Sequence, residues 1–354
     1  MTATRGSSSF CRLLLRVEAA IWLTRPQSLF SKVPIAVAAW LTGRGDLRSS
    51  ATQQVLLLSF LVTFQGLLFA INDINDAERD RRTAPYLPIP AGVLTRRDAI
   101  VVALAMGIVF LASLVLLGSS ALSITAVLAT IPPALATMRI YGRTKATWYS
   151  PLLGSTAASS PALWTWLLAG YRNYGVFAVL FATATLHGLQ TNLRAQLRDI
   201  EGDPKAGTLT LAARLGARRT FWLIATIQTI ELGVVLSLYV MQGRTLALLW
   251  LMPALGLLIM GLVASEEVYS RTRDRLGQTE ALRLWVNMSF ATEIAILAAF
   301  RPVLALPIGA GMFLWFAFVR RTYYRRLVGR RLERQWKELG GLGLERASGS
   351  TGPT

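Results

Sequence analysis

The chain has 354 residues, 53% of them hydrophobic and only 16% charged, where a soluble domain carries about 25% charge. Several apolar runs reach bilayer-spanning length, so the composition speaks against a soluble enzyme and for an all-α polytopic membrane protein. The net charge of +18, from 37 Lys and Arg against 19 Asp and Glu, would point to nucleic acid in a soluble protein; here the basic residues collect in loops, where they set membrane topology, and no nucleic-acid partner is expected.

Residues 1–19 hold basic side chains and one short apolar run, 11–15. They read as a cytoplasmic N-terminal segment without a cleavable signal peptide. The single cysteine, Cys11, excludes an intramolecular disulfide framework and a cysteine metal cluster. Ten apolar windows follow, at 27–43, 54–71, 99–118, 120–138, 151–169, 174–192, 220–240, 246–265, 284–300 and 303–319. The first is the weakest, because Lys32 and Pro34 interrupt it. The last two are separated only by Arg301-Pro302, and read either as a tight hairpin or as one broken helix. Residues 320–354 form a cytoplasmic tail, basic at first and then rich in Gly, Ser and Thr, a composition expected to be disordered.

Charge tests the topology. With a cytoplasmic N-terminus and ten crossings, the far-side connections hold only Arg44, Arg48, Arg172, Arg244 and Arg301. The loops 72–98, 139–150 and 193–219 then share the cytoplasmic face with most of the arginines, as the positive-inside rule requires. Nine crossings would place the basic stretch after Arg320 outside, which the rule disfavours. Residues 20–319 are expected to form a single transmembrane domain.

The window 54–71 runs into Ile71-Asn72-Asp73-Ile74-Asn75-Asp76-Ala77-Glu78-Arg79-Asp80. If the helix continues, Asn72, Asp76 and Asp80 share one face, with Asp73 one position round. Carboxylates crowded on one helical face repel each other unless a cation offsets them. At the end of a membrane helix the default reading is functional, and the natural partner of oxygen ligands is a hard divalent ion. A second acidic device stands in Arg198-Asp199-Ile200-Glu201-Gly202-Asp203, where Asp199 and Asp203 are again i, i+4 at the end of an apolar window. The repetition suggests two pseudo-repeated helical halves. Two carboxylate faces on one side of a bundle suit Mg²⁺, which binds through one or two carboxylates plus substrate phosphates, so the implied ligand is a diphosphate. Arg139-Ile140-Tyr141-Gly142-Arg143-Thr144-Lys145 lies between them. Lys145 and Arg143 are candidate cations for a departing diphosphate, with Tyr141 as a hydroxyl donor; Arg79, Arg81, Arg82 and Arg198 are further candidates.

These residues resemble the UbiA superfamily of intramembrane prenyltransferases. Asn72, Asp73, Asp76 and Asp80 match its Asn-Asp-x-x-Asp-x-x-x-Asp motif. Arg198, Asp199, Gly202 and Asp203 match its Arg-Asp-x-x-Gly-Asp motif, with Gly207 and the stretch 208–216 resembling the continuation. Tyr141 and Lys145 match a Tyr-x-x-x-Lys between the two, Pro88-Ile89-Pro90-Ala91-Gly92 a Pro-[Leu/Ile]-x-[Ser/Ala]-Gly element, and Arg25-Pro26 an N-terminal feature. The resemblance covers roughly 20–300. It implies a nine-helix core, here with a tenth C-terminal span, and an active site open to the cytoplasmic face. Mg²⁺ would bridge the aspartates and an isoprenyl diphosphate, whose ionisation yields an allylic cation for an acceptor to capture. On this reading Asn72, Asp76, Asp80, Asp199 and Asp203 hold the metal, with Asp73 in support. Lys145, Tyr141, Arg143, Arg198, Arg79, Arg82 and Arg25 serve the diphosphate. One departure is Leu87, which stands where the family usually has Arg.

The leading expectation is Mg²⁺-dependent prenyl transfer to an aromatic or other small lipophilic acceptor. An intramembrane terpene cyclase would share the diphosphate site, and a transporter would instead place its essential charges near the bilayer middle. Asn192, seven residues before Asp199, is the best acceptor-orienting candidate. His187 lies deeper on that helix, as a cavity residue or a bundle-interior histidine with a local partner. Glu231 and Glu293, inside apolar windows, read as structural. Trp148, Tyr149, Trp164, Trp166 and Tyr171 read as interfacial belt residues.

Overall fold

The structure, a computed structural model, describes residues 16–25, 33–44, 50–83, 87–198, 200, 204, 207–263 and 289–319. Among these residues there are helices and turns and no strand, the form in which a backbone pairs its own polar groups in hydrocarbon. In chain order the helices are α1 (16–23), α2 (Val33–Arg44), α3 (Ala51–Thr83), α4 (Arg96–Leu117), α5 (Ala121–Arg143), α6 (Ser150–Ala169), α7 (Tyr174–Arg198), α8 (Leu211–Leu215) and α9 (Ala217–Met241). A 3₁₀ turn (Thr245–Leu251), α10 (Met252–Val263), α11 (Ser289–Phe300) and α12 (Pro302–Val319) complete the set.

Each of the ten apolar windows contains helix. Among the described residues, five stretches are long and apolar enough to cross a membrane: Ala51–Glu78, Arg96–Leu117, Ala121–Arg143, Tyr174–Leu197 and Ala217–Met241. The protein is an all-helical integral membrane protein. Two helices outrun their windows in a way that matters. α3 continues unbroken through the acidic stretch to Thr83, and α7 continues to Arg198. The 33 residues of α3 make it about 50 Å long at about 1.5 Å per residue, against a hydrocarbon core of about 30 Å.

Local chemistry sets several helix ends. Thr95 and Asp98 form a capping box at the start of α4, the Thr95 amide donating to Asp98 Oδ2 at 2.9 Å and the Asp98 amide to Thr95 Oγ1 at 3.1 Å. Ser120 and Ser123 do the same for α5. α6 ends on Gly170, whose φ of +113° lets the Tyr171 amide turn back to the Trp166 carbonyl at 3.0 Å.

The chain forms two compact units: Met1–Gln27, Gly66–Leu104 and Ala310–Thr354 make one, and Ser28–Gln65 with Ala105–Gly309 the other. In the first, α1, the C-terminal part of α3, the 87–94 turn and the start of α4 pack through Leu23, Ala70, Leu94, Ala99 and Ala103. Leu87 is buried in this unit, so the position that lacks the family's arginine is an apolar packing position here.

In the second unit α2, α6, α7, α9 and α11 share a core that includes Ala38, Ala162, Leu180, Val235 and Ile296. Small residues bring backbones close, as membrane bundles require. A Cβ on Gly43 would meet Ala169 Cβ and the Trp166 carbonyl at 2.7 Å, and one on Gly188 would meet Ser155 backbone at 3.0 Å. The α11–α12 pair is a hairpin: a Cβ on Gly309 would lie 2.8 Å from Ile294 Cδ1. Fifteen residues along one broken helix would separate them by about 22 Å.

The aromatic belt expectation needs correction. Trp164 is 1% exposed, packs edge to face on Phe60 and Phe64 and tilted against Phe110, and donates its indole N–H to Thr130 Oγ1 at 2.8 Å. Trp166 is buried against Phe177 with ring centroids 4.1 Å apart and donates to the Arg172 carbonyl. The Trp164 indole finds its polar partner between α5 and α6, which removes the need for an interfacial one, whereas Trp166 pairs with a carbonyl of the exposed turn after α6. Trp148 and Tyr149 remain exposed, edge to face.

Candidate functional site

Because α3 stays helical, its acidic residues form a continuous surface. At about 100° per residue, Asp73 and Asp80 fall about 20° apart, with Asp76 and then Asn72 on one side of them, about 60° and about 100° from Asp73. Burial follows this geometry. Asp73 is 1% and Asp80 6% exposed, Asn72 and Asp76 are half-buried, and Asn75 and Glu78 face outward. The inward face is therefore centred on Asp73 and Asp80, whereas the spacing pattern centres it on Asp76.

Arg25 holds one side of this face. It adopts a left-handed φ of +47°, and its Nη2 donates to Asp73 Oδ1 at 2.5 Å. The guanidinium carbon also lies 4.8 Å from the centroid of the Phe69 ring, one helical turn before Asp73. Arg25, a diphosphate candidate from its place in the sequence, thus also steadies a carboxylate of the acidic face. The second oxygen, Asp73 Oδ2, is buried without a hydrogen-bond partner among the described residues. An orphaned carboxylate oxygen on the face it shares with Asp80 fits a hard cation in donor chemistry. Among the described residues no group of three His, Cys, Asp or Glu on this acidic face forms a metal cage, and Mg²⁺ with one or two carboxylates and substrate phosphates needs none.

Arg81 is exposed and pairs with Glu78 at 3.1 Å. Arg79 and Arg82 lie in the same polar end of α3, and Arg198 closes α7. Asp199 and Asp203 lie outside the described residues.

Lys145 follows the C-terminal end of α5. Its Nζ stands 5.9 Å from the centroid of the Tyr141 ring, one turn back, and Arg143 is exposed. The loop has a tether that the residue pattern does not reveal. Arg214 donates from Nη2 to the Ala146 carbonyl at 2.8 Å and from Nε to the Leu209 carbonyl at 3.3 Å. The stretch after the second acidic motif thus holds the residue next to Lys145. Asn192 donates to the Gly188 carbonyl at 2.9 Å and packs on Gly154 of α6, which places it on the α6–α7 seam.

Deeper in the second unit, His187, Glu231 and Glu293 meet. They come from α7, α9 and α11, and are 0%, 0% and 1% exposed. His187 is the interior histidine with local partners, and both acids pair as structural residues do. What spacing does not show is that one imidazole joins all three.

The model of the UbiA prenyltransferase family matches residues 31–287. The chain is 27% identical over 252 residues to digeranylgeranylglyceryl phosphate synthase of Thermococcus gammatolerans, spanning 67% of this chain and 86% of that one. In fold it resembles a solved digeranylgeranylglyceryl phosphate synthase, with a TM-score of 0.57 and 15% identity over 80% of this chain and 98% of the other. It also resembles a UbiA homologue from Archaeoglobus fulgidus bound to DMAPP and Mg²⁺, with a TM-score of 0.53 and 19% identity over 77% and 98% of the two chains. The family match runs over well more than half of the chain and takes in both acidic motifs, so the protein belongs to the UbiA prenyltransferase family and is a prenyltransferase of the membrane.

Proposed function

We propose that the protein transfers a prenyl group from an isoprenyl diphosphate to a small lipophilic acceptor and needs Mg²⁺ to do so. The observation that carries this reading is the α3 face: a helix that stays regular while burying Asp73 and Asp80, and that leaves Asp73 Oδ2 without a hydrogen-bond donor among the described residues. The Archaeoglobus relative with DMAPP and Mg²⁺ supports the same donor class and ion.

Asn72, Asp76, Asp80, Asp199 and Asp203 would hold Mg²⁺, with Asp73 in support. Bound there, the ion would offset the charge that builds on the departing diphosphate. Lys145, Arg143, Arg198 and the Arg79–Arg82 stretch supply further positive charge, and Tyr141 a hydroxyl donor. The allylic carbon–oxygen bond breaks, the diphosphate keeps the electron pair, and the acceptor forms the new bond and releases a proton. The protein contributes placement and electrostatics, so no covalent nucleophile is required.

The name of the Thermococcus relative favours a glycerophosphate-type lipid acceptor over an aromatic one. The positive-inside count supports ten crossings with the acidic loops on the cytoplasmic face.

The test uses membranes containing the full-length protein, given DMAPP and longer prenyl diphosphates with glycerophosphate lipids or aromatic acceptors. Mass spectrometry should find prenylated acceptor, lost with EDTA and restored by Mg²⁺. A cyclic hydrocarbon or alcohol made without acceptor would replace transfer with cyclisation.

A further inference from the structure

α7 carries His187, Gln190 and Arg194 on one stripe, spaced i, i+3, i+7. All three are buried, and each reaches another residue of one polar cluster. His187 Nδ1 is 3.2 Å from Glu231 Oε1 on α9, and His187 Nε2 is 2.8 Å from Glu293 Oε1 on α11. Gln190 donates to the other Glu231 oxygen. Arg194 donates to Gln190 Oε1 and to Ser289 Oγ on α11. One turn further along α11, Thr292 accepts from Gln228 of α9 at 3.1 Å. Three helices are thus laced together by charged and polar groups inside an apolar bundle.

The charges nearly balance. Glu231 and Glu293 bring two negatives, and Arg194 brings one positive. A single proton, shared among the imidazole and the two carboxylates, makes the cluster neutral. Neutrality is what a water-free interior demands of such a group.

The position of the cluster points to its use. Arg194 lies one turn before Arg198, the last residue of α7, and Asp199 follows directly in the chain. Apolar helix faces carry little that fixes their axial offset, whereas an arginine that reaches across to Ser289 of α11 and a histidine between acids of α9 and α11 favour one axial register. We infer that the His187–Glu231–Glu293–Arg194 cluster is a charge-balanced register lock, which fixes α7 along its axis and so sets where that helix delivers the second acidic motif. Its members are positioning residues. The inference rests on the proposed role of Asp199 in holding the Mg²⁺ that binds diphosphate.

The experiment measures binding of labelled inorganic pyrophosphate to the full-length protein in native membranes, as a function of Mg²⁺ concentration. Replacing His187 by Gln leaves two carboxylates facing one cation. His187→Gln should raise the half-saturating Mg²⁺ concentration about tenfold, a coupling of ordinary size for one network. Adding Glu293→Gln in the same chain restores neutrality through the Arg194 and Glu231 pair, and should bring the value back to within about threefold of the unaltered protein. A purely structural role predicts the reverse order, with the double variant at least as impaired as the single one. Ser289→Ala removes an acceptor of Arg194 and no charge, and should shift the Mg²⁺ profile in the same direction by about twofold; it serves where His187→Gln fails to accumulate. A double variant no better than His187→Gln, or an unshifted Mg²⁺ profile in Ser289→Ala, overturns the inference. Asp76→Asn separates this from the function itself: if that variant retains Mg²⁺-dependent pyrophosphate binding, the diphosphate reading is what has failed.

Discussion

Arg25 and Asp73, 48 residues apart in the chain, meet at 2.5 Å between Nη2 and Oδ1. The arginine side chain is 28% exposed and the aspartate 2%. One end of this pair is wet and the other dry. Removing the wet end strands a buried carboxylate, and because Arg25 is partly screened the cost should be about 2 kcal/mol, less than that of a fully buried pair. Arg25→Ala should therefore lower the thermal midpoint in detergent and depress turnover about tenfold, with Arg25→Lys intermediate because a point charge replaces the fork. An Arg25→Ala enzyme with unchanged midpoint and turnover would show that Asp73 does not depend on this pair.

The acidic stretch contains its own control. Asp76 and Asp80 lie on the inward side of α3, and Glu78 lies on the outward side beside Arg81. Asp76→Asn and Asp80→Asn keep side-chain volume and remove charge. Each should cut turnover by about 100-fold or more if the site stabilises a departing diphosphate. Glu78→Gln should stay within about twofold, as exposed ion pairs contribute little. Prenyl transfer assayed at saturating Mg²⁺ separates the two faces, and equal losses at Asp76 and Glu78 would contradict the burial pattern.

Arg214 should act on substrate affinity more than on the chemical step. Its hydrogen bond to the Ala146 carbonyl at 2.8 Å fixes the peptide after Lys145. Arg214→Ala should raise the donor KM about fivefold and leave kcat within about twofold, the pattern of lost uniform binding. A fall in kcat with unchanged KM would assign Arg214 a different part in the reaction.

Gly188 tests the close approach of α6 and α7. A methyl group there would meet Ser155 Cα and its carbonyl oxygen at 3.0 Å, and both are backbone atoms. Gly188→Ala should cost about 1–3 kcal/mol through overpacking and lower the midpoint in detergent. Gly233, whose added Cβ meets nothing within 4 Å, should accept Ala with little change or a small gain in helix stability. Parallel melting of the two variants reads the difference.

Much of the architecture was legible before any coordinates. Each of the ten apolar windows contains helix, because twenty or so apolar residues in lipid have one common solution. The i, i+4, i+8 spacing identified an acidic helical surface, since the period of the helix is independent of its neighbours. Its inward centre, by contrast, was not legible. Which of Asn72, Asp73, Asp76 and Asp80 turns inside depends on what packs against α3, and Leu23 and Leu94 come from distant parts of the chain. The tryptophans failed for a similar reason: Trp164 looks like an interface residue until Thr130 is found beside its indole nitrogen.

By itself, then, the sequence determined the helices, the membrane, the family and the acidic end of α3, because periodicity, length and motif are local quantities. The tertiary structure decided the partners. Arg25 on Asp73, Arg214 on the Lys145 loop, and His187 between Glu231 and Glu293 are pairings across 48, 68 and 44 or more residues. In a medium of low dielectric a charge takes whichever counter-charge the packing brings near, and packing is settled by the whole bundle at once.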